Sequence, residues 1–65
     1  MKNYIDIKLL NSVIERTGGI KELHKKSGVS EKTIKNILEG NSNYKLTTLF
    51  LIVESLEIPL KELIL

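Results

Sequence analysis

Apolar residues recur three or four positions apart in the first part of the chain, which is the spacing of one face of an α-helix. The residues of this face are Ile7, Leu10, Val13 and Ile14. The run Thr17-Gly18-Gly19 then interrupts the pattern, and glycine pairs are typical of turns. We therefore predict a first helix over residues 6–16.

A second apolar pair, Ile20 and Leu23, keeps helical spacing, and the pattern stops at Gly28. Glycine just past a helix end accepts the left-handed backbone that closes off the last carbonyl groups. Ser30 is a suitable N-cap for the next helix, because its hydroxyl can accept a hydrogen bond from an amide two or three residues later. The second and third predicted helices cover residues 20–27 and residues 31–38 or 31–39.

So short a connection forces the two helices to cross steeply, which is the sequence form of a helix-turn-helix. The apolar residues expected to share a core across this crossing are Leu23, Val29, Ile34 and Ile37. The polar residues expected to remain in water are Glu31, Lys32, Lys35 and Asn36.

The last third of the chain predicts two more helices after a polar loop at residues 41–45. The fourth helix begins near residue 46 or 47, with Phe50 beside an apolar stripe. The residues of that stripe are Leu49, Ile52, Val53 and Leu56. Pro59 suits the first turn of a short fifth helix through Leu60 and Leu63, since its missing amide would have no partner there.

The length of 65 residues indicates one domain, residues 1–65, that buries only about 60% of the surface its unfolded chain exposes. The chain has no cysteine, so neither disulfides nor thiolate metal ligands supplement the core. No apolar run approaches the ~18 residues of a membrane span, and residues 1–6 do not read as a secretory signal. We expect a cytoplasmic protein without membrane attachment.

The net charge of +2 is small but unevenly distributed. Residues 21–45 carry six lysines against three glutamates, whereas residues 46–65 carry one lysine against three glutamates. The positive charge therefore accompanies the two crossing helices. A nucleic-acid partner and an ordinary solvated helix face are both consistent with this distribution.

The chain resembles the Cro and phage-repressor (XRE-like) family of helix-turn-helix regulators over roughly residues 17–63. Many positions agree with the family pattern in spacing and residue type at once. The matching residues are Leu23, Gly28, Val29, Ser30, Thr33, Ile34, Gly40, Leu46, Thr48, Leu49 and Leu56. The resemblance implies an all-α, compact five-helix domain of the lambda-repressor kind, with the helix-turn-helix at helices 2 and 3.

Four residues depart from the family pattern. His24 occupies a position that usually holds alanine, and Ile20 replaces a frequent glutamine. Tyr44 replaces a common loop proline, and Glu57 replaces the glycine that normally ends the fourth helix. We expect a looser crossing of helices 2 and 3 at His24, and loops that differ in shape from those of the family.

The resemblance implies that helix 3 enters the major groove of double-stranded DNA. The residues implied to read bases are Glu31, Lys32, Thr33, Lys35 and Asn36. Lysine can donate to guanine O6 and N7, glutamate can accept from cytosine N4, asparagine can pair with adenine, and a threonine methyl can contact thymine. An alternative for Glu31 and Lys35 is an ion pair along the helix.

Phosphate contacts are expected on both sides of the reading helix, because they fix register while base contacts select sequence. The residues implied to contact phosphate are Gly19, Ile20, Ser30, Asn41, Ser42, Asn43, Tyr44 and Lys45. Ordinary turn chemistry is the alternative for the asparagines, and packing over helix 3 is the alternative for Tyr44.

Apolar residues outside the predicted core suggest a self-association surface at Leu51, Ile64 and Leu65. Across a two-fold axis they would set two reading helices about one DNA turn, ~34 Å, apart on a palindromic operator. The alternative is that they fold back on helix 1.

The residue content offers little for catalysis, since one histidine and no cysteine leave no nucleophile-base pair or metal cage. We expect no enzymatic activity, cofactor, bound metal or small-molecule ligand. The leading hypothesis is a small sequence-specific transcriptional regulator of the phage or mobile-element kind. The alternative is a protein-binding adaptor or antitoxin-like partner with the same fold and weak or no specific DNA binding.

Overall fold

Five helices form from the segments that the apolar periodicity marks. The computed structural model describes residues 5–41 and 43–64, and in that part of the chain it contains helices and no strand. The helices are α1 (Ile7–Arg16), α2 (Gly19–Ser27), α3 (Glu31–Leu38), α4 (Leu46–Leu56) and α5 (Leu60–Leu63). The bounds of α1, α2 and α3 and the start of α4 lie within one residue of those predicted, and Pro59 stands at the N-cap of α5.

Capping residues define where several helices begin and end. The Asp6 carboxylate accepts a hydrogen bond from the Leu9 amide at 3.1 Å, which caps α1. At the other end of α1, the Thr17 hydroxyl donates to the Val13 carbonyl at 3.0 Å. These bonds satisfy backbone groups that a helix leaves unpaired at its ends.

The core is assembled from apolar side chains of all five helices. Among the described residues every buried side chain is hydrophobic. The buried residues are Ile5, Leu10, Val13, Ile14, Leu23, Val29, Ile34, Ile37, Leu49, Ile52, Val53, Leu56 and Leu63. Helix α2 packs against α1, α3 and α4, while α1 also packs against α3 and α5.

The two ends of the described chain lie side by side. Ile5 and Ile64 form an isolated antiparallel bridge, and the Asp6 amide donates to the Leu63 carbonyl at 2.6 Å. The side chains of Ile5 and Leu63 are buried in the core. Segments on either side of the helices are therefore held against α1 and α5 by backbone hydrogen bonds and by apolar contacts.

No helix within the described ranges combines the length and the apolar character needed to cross a membrane. The longest of them, α4, has 11 residues. About 20 residues are needed for a helix that spans a bilayer.

Helix α4 ends with a non-glycine residue in the left-handed conformation. Glu57 has φ 58° and ψ 38°, and its amide donates to the Glu54 carbonyl at 3.2 Å. The Ile58 amide reaches back to the Val53 carbonyl at 3.4 Å, which completes a Schellman-type end. This is the position where the sequence carries glutamate instead of the family's glycine. A non-glycine residue in this conformation carries backbone strain.

We predict that Glu57→Gly raises the free energy of unfolding by about 0.5–1 kcal/mol, because glycine adopts the left-handed conformation without steric cost. Urea unfolding followed by circular dichroism measures this change. Glu54→Gly is the matched control in the interior of α4, where glycine costs about 1 kcal/mol. An equal loss of stability in both variants would contradict the prediction.

Candidate nucleic-acid interface

The turn between α2 and α3 is closed by several short hydrogen bonds. Gly28 has φ 78°, and its amide donates to the His24 carbonyl at 2.9 Å. The Ser27 hydroxyl donates to the Leu23 carbonyl at 2.7 Å and accepts from the Val29 amide at 3.1 Å. The Val29 side chain is 7% exposed and belongs to the core. The turn therefore has a defined conformation, anchored inward by Val29 and along α2 by Ser27.

Ser30 caps the N-terminus of α3, as predicted. Its hydroxyl oxygen accepts a hydrogen bond from the Thr33 amide at 3.2 Å and donates its own hydrogen to Thr33 Oγ1 at 2.9 Å. The Ser30 carbonyl accepts from the Ile34 amide at 3.1 Å, the first bond of the helix. The Ser30 hydrogen is thus used within the cap, whereas Thr33 can turn its own hydroxyl hydrogen outward.

Helix α3 has one buried and one exposed side. Ile34 and Ile37 are each 1% exposed and point into the core. The five predicted base-reading residues lie on the remaining faces. The side chains of Lys32 and Lys35 are exposed, and those of Glu31, Thr33 and Asn36 are half-buried. The two lysines therefore occupy the outermost side of α3, with the shorter polar groups flanking them.

Glu31 and Lys35 are one helical turn apart but do not pair. Over residues 5–41 and 43–64 the structure records no ion pair, and neither side chain has an interaction of that kind. The alternative in which the two charges neutralise each other along α3 is therefore not seen. Lys35 remains available to an external anion.

The loop after α3 begins with a tightly hydrogen-bonded helix end. The Gly40 amide donates to the Ile37 carbonyl at 3.0 Å, and the Asn41 amide donates to the Asn36 carbonyl at 3.1 Å. The Asn41 side-chain oxygen then accepts from the Asn43 amide at 2.9 Å. Asn41 thus performs the turn chemistry that was its alternative interpretation, although its side-chain NH₂ group can still donate.

The other loop residues among the predicted phosphate contacts differ in exposure. Asn43 and Lys45 are exposed, and Tyr44 is half-buried against the core. Burial raises the pKa of the Tyr44 hydroxyl above its ordinary value of 10.0, so this group keeps its hydrogen near neutral pH. Ser42 lies outside the described residues. Tyr44 therefore packs inward and still carries a hydrogen-bond donor.

A cleft of about 340 Å³ separates α3 from this loop and from the start of α4. We call it the α3–loop cleft. Its lining residues are Thr33, Asn36, Ile37, Asn41, Asn43, Tyr44, Lys45 and Thr48. The cleft thus brings together two predicted base-reading residues, Thr33 and Asn36, and four predicted phosphate contacts. The ammonium group of Lys45 gives this concave surface a positive charge.

The start of α2 provides backbone amides without a side-chain cap. Gly18 occupies the N-cap position, and among the described residues no side chain bonds to the first amides of α2. The Ile20 side chain is half-buried and packs against the core. Gly19 and Ile20 can therefore contact an anion only through backbone N–H groups, which a helix N-terminus favours.

The predicted self-association residues are exposed where they are described. Leu51 is 46% and Ile64 is 53% exposed, the backbone of Ile64 pairs with Ile5 just before α1, and Leu65 lies outside the described residues. Sequence reasoning missed two further residues of this kind, Leu46 at 61% and Phe50 at 48% exposed. Leu46 and Phe50 are four positions apart and so lie on neighbouring positions of one helix face, along the edge of the buried stripe of α4.

Comparisons with protein families, with curated proteins and with solved structures found no match to this chain.

We predict that Ser30→Ala lowers the free energy of unfolding by about 1 kcal/mol, because the Thr33 amide loses its acceptor. Ser30→Asp should retain stability to within about 0.5 kcal/mol, since a carboxylate caps equally well and favours a helix N-terminus. Thermal unfolding measures both variants.

Ser55→Ala is the matched control for the cap. Its hydroxyl bonds to the Leu51 carbonyl within α4 at 2.8 Å, and losing such a bond in a helix interior changes stability by less than about 0.5 kcal/mol. Equal losses in the free energy of unfolding for Ser30→Ala and Ser55→Ala would contradict a stabilising role of the cap.

Proposed function

We propose that this protein is a regulator that binds specific sequences of double-stranded DNA. In this proposal α2 and α3 form a helix-turn-helix, and the five helices are arranged as in the Cro and phage-repressor domains. The observation that supports this most is the capped α3, which buries Ile34 and Ile37 and exposes Lys32 and Lys35. A rigid helix with one polar side is what reading a major groove ~12 Å wide requires.

In this proposal the exposed side of α3 lies along the base edges. Lys32 and Lys35 donate to guanine O6 and N7, and Glu31 accepts from cytosine N4. The half-buried Thr33 and Asn36 contact bases nearer the edge of the groove, as a methyl contact to thymine and an amide pair with adenine. Selectivity then comes from α3, because bidentate contacts distinguish base pairs.

Phosphate groups on either side of the groove are held by the flanking segments. The α3–loop cleft supplies the Lys45 ammonium, the Tyr44 hydroxyl and the side-chain amides of Asn41 and Asn43. On the opposite side, the uncapped amides of Gly19 and Ile20 serve another phosphate. Ser42, between Asn41 and Asn43 in the sequence, also contacts phosphate in this proposal. Ser30 can donate to a phosphate by rotating its hydroxyl group.

The charge distribution favours this orientation. Six lysines fall between residues 21 and 45, the part of the chain that forms α2, α3 and the loop. The part from residue 46 onward, with α4 and α5, carries one lysine and three glutamates. The phosphate backbone is attracted to residues 21–45 and repelled by the acidic part from residue 46 onward. The protein therefore binds DNA with α3 facing the duplex.

Regulation follows from occupancy in this proposal. A protein bound to an operator either excludes RNA polymerase from the overlapping promoter or offers it a contact. In this proposal the regulator acts in the cytoplasm of a bacterium or phage-infected cell, because the DNA lies there.

The exposed apolar residues of α4 and the C-terminal segment support a homodimer on a palindromic operator. Leu46, Phe50 and Leu51 are exposed on α4, and Ile64 is exposed beyond α5. Burying such side chains between two copies stabilises association by roughly 25 cal/mol per Å² of apolar surface. Two-fold symmetry then places two copies of α3 about one DNA turn, ~34 Å, apart.

A second candidate function is a protein-binding adaptor or antitoxin-like partner. The features that favour it are Glu31 in the first turn of α3, a net charge of only +2, and the exposed side of α4. Binding to fragmented genomic DNA at ~100 mM salt distinguishes the two functions. A regulator enriches particular fragments, whereas an adaptor retains none in preference to others.

We predict different effects for two lysines of the interface. Lys32→Ala should relax selectivity at one base position at a cost of about 1–3 kcal/mol for the preferred sequence. Lys45→Ala should weaken binding to all sequences alike and reduce the salt slope by about one, because it removes one phosphate contact. Titrations with specific and random DNA at several salt concentrations measure both effects.

Lys61→Ala is the control, since Lys61 is an exposed lysine of α5 outside the proposed interface. It should leave selectivity unchanged and alter affinity less than either interface variant. Identical losses on specific and random DNA for Lys32→Ala and Lys45→Ala would refute the division between base and phosphate contacts.

We predict that Leu51→Lys prevents self-association and abolishes cooperative binding to a palindromic site, because a charged group cannot be buried there without a partner. Sedimentation at tens of micromolar and DNA titration measure the two effects. Asn11→Lys, which adds the same charge on the exposed side of α1, should change neither. A strictly monomeric parent protein, with Leu51→Lys leaving cooperative binding intact, would rule out the dimer.

A further inference from the structure

The side chain of His24 bonds to the backbone of the turn that follows its own helix. Its Nδ1 atom lies 2.8 Å from the Val29 carbonyl oxygen. A carbonyl oxygen only accepts hydrogen bonds, so the imidazole must carry a hydrogen on Nδ1. His24, the residue at which we expect a looser crossing of α2 and α3, forms a hydrogen bond across the turn.

This bond completes the hydrogen bonding of Val29. The Val29 amide donates to Ser27 Oγ at 3.1 Å, and the Val29 side chain is buried in the core. The Val29 carbonyl is the group immediately before the N-cap residue Ser30, and among the described residues His24 is the side chain that binds it. Val29 is thereby held at its amide, its side chain and its carbonyl.

We propose that His24 is a positioning residue for α3: its Nδ1–H group holds the Val29 carbonyl and so fixes the angle at which α3 leaves the turn. The angle determines where Lys32 and Lys35 stand relative to the phosphate contacts of the loop. The consequence for DNA rests on the proposed function, whereas the consequence for the helix angle does not. His24 acts through Val29 and touches no base.

The chemistry of the side chain allows a close test by substitution. His24→Asn places its side-chain nitrogen at the same number of bonds from the backbone as Nδ1, so it can donate to the Val29 carbonyl. His24→Gln places the amide one bond farther out, and His24→Leu has similar branching to asparagine but no donor. Asparagine has the weakest helix propensity of the three, so helix propensity alone predicts the opposite order.

The first measurement is the tautomer of His24 by long-range ¹H–¹⁵N correlation near pH ~8.5, where an ordinary histidine is neutral. The expected result is a ring with hydrogen on Nδ1 and a bare Nε2. Hydrogen on Nε2 and none on Nδ1 would overturn the proposal. This spectrum does not involve DNA.

The second measurement is the angle between α2 and α3 from residual dipolar couplings of the parent protein and the three variants, each confirmed as folded by circular dichroism. The proposal expects the parent angle in His24→Asn and a changed angle in His24→Leu and His24→Gln. An unchanged angle in His24→Leu would overturn the positioning role. If the leucine variant does not fold, the comparison of asparagine with glutamine decides in the same way.

The third measurement is binding to DNA sequences that the parent protein prefers. His24→Leu and His24→Gln should bind them about 3- to 10-fold less tightly, the range that one net hydrogen bond contributes, and should bind random DNA as the parent does. His24→Asn should remain within about twofold of the parent. Equal losses in all three variants would overturn the proposal. A parent protein that prefers no DNA would refute the proposed function, while the tautomer and the helix angle would still test His24.

Discussion

The buried position of Val29 between two hydrogen-bonded helix ends is the constraint on which the rest of this structure depends. Only three residues separate α2 from α3, so the orientation of α3 is determined by how that turn is held. Val29 supplies the apolar anchor, Ser27 binds its amide, and His24 binds its carbonyl. With the turn fixed, the two isoleucines of α3 enter the core and its lysines face solvent. A displaced turn would change both the packing of the core and the surface offered to a ligand.

The small core explains why local hydrogen bonds matter so much in this chain. A chain of 65 residues buries a smaller fraction of its surface than a larger protein does, and this one has no cysteine for a disulfide. All five helices contribute to one apolar cluster, and the segments before α1 and after α5 are joined by a bridge between Ile5 and Ile64. In so small a structure, a cap contributing about 1 kcal/mol is a substantial part of the total stability. The capped start of α3 therefore contributes to the fold and prepares the candidate site.

Helix positions and the buried stripes were predictable from the sequence because they depend on local spacing and on capping residues. Ser30 and Gly28 are typical helix-end residues, and the structure uses both in that way. Other features depend on contacts that spacing does not reveal. The bond from His24 to Val29 requires a particular rotamer over a folded turn, and Glu57 adopts a conformation that its residue type disfavours. Phe50 lies beside the buried stripe, as expected, but the spacing did not reveal that Phe50 and Leu46 would be 48% and 61% exposed. The residue types do not specify which bases α3 would read under the proposed function, since lysine, asparagine and threonine each have several partners.

Selection of bound DNA from a random pool decides whether α3 presents a sequence-reading surface. We expect enrichment of one sequence at ~100 mM salt, with two-fold symmetry and half-sites centred about one helical turn, ~34 Å, apart. A pool that shows no enriched sequence after selection would contradict this expectation.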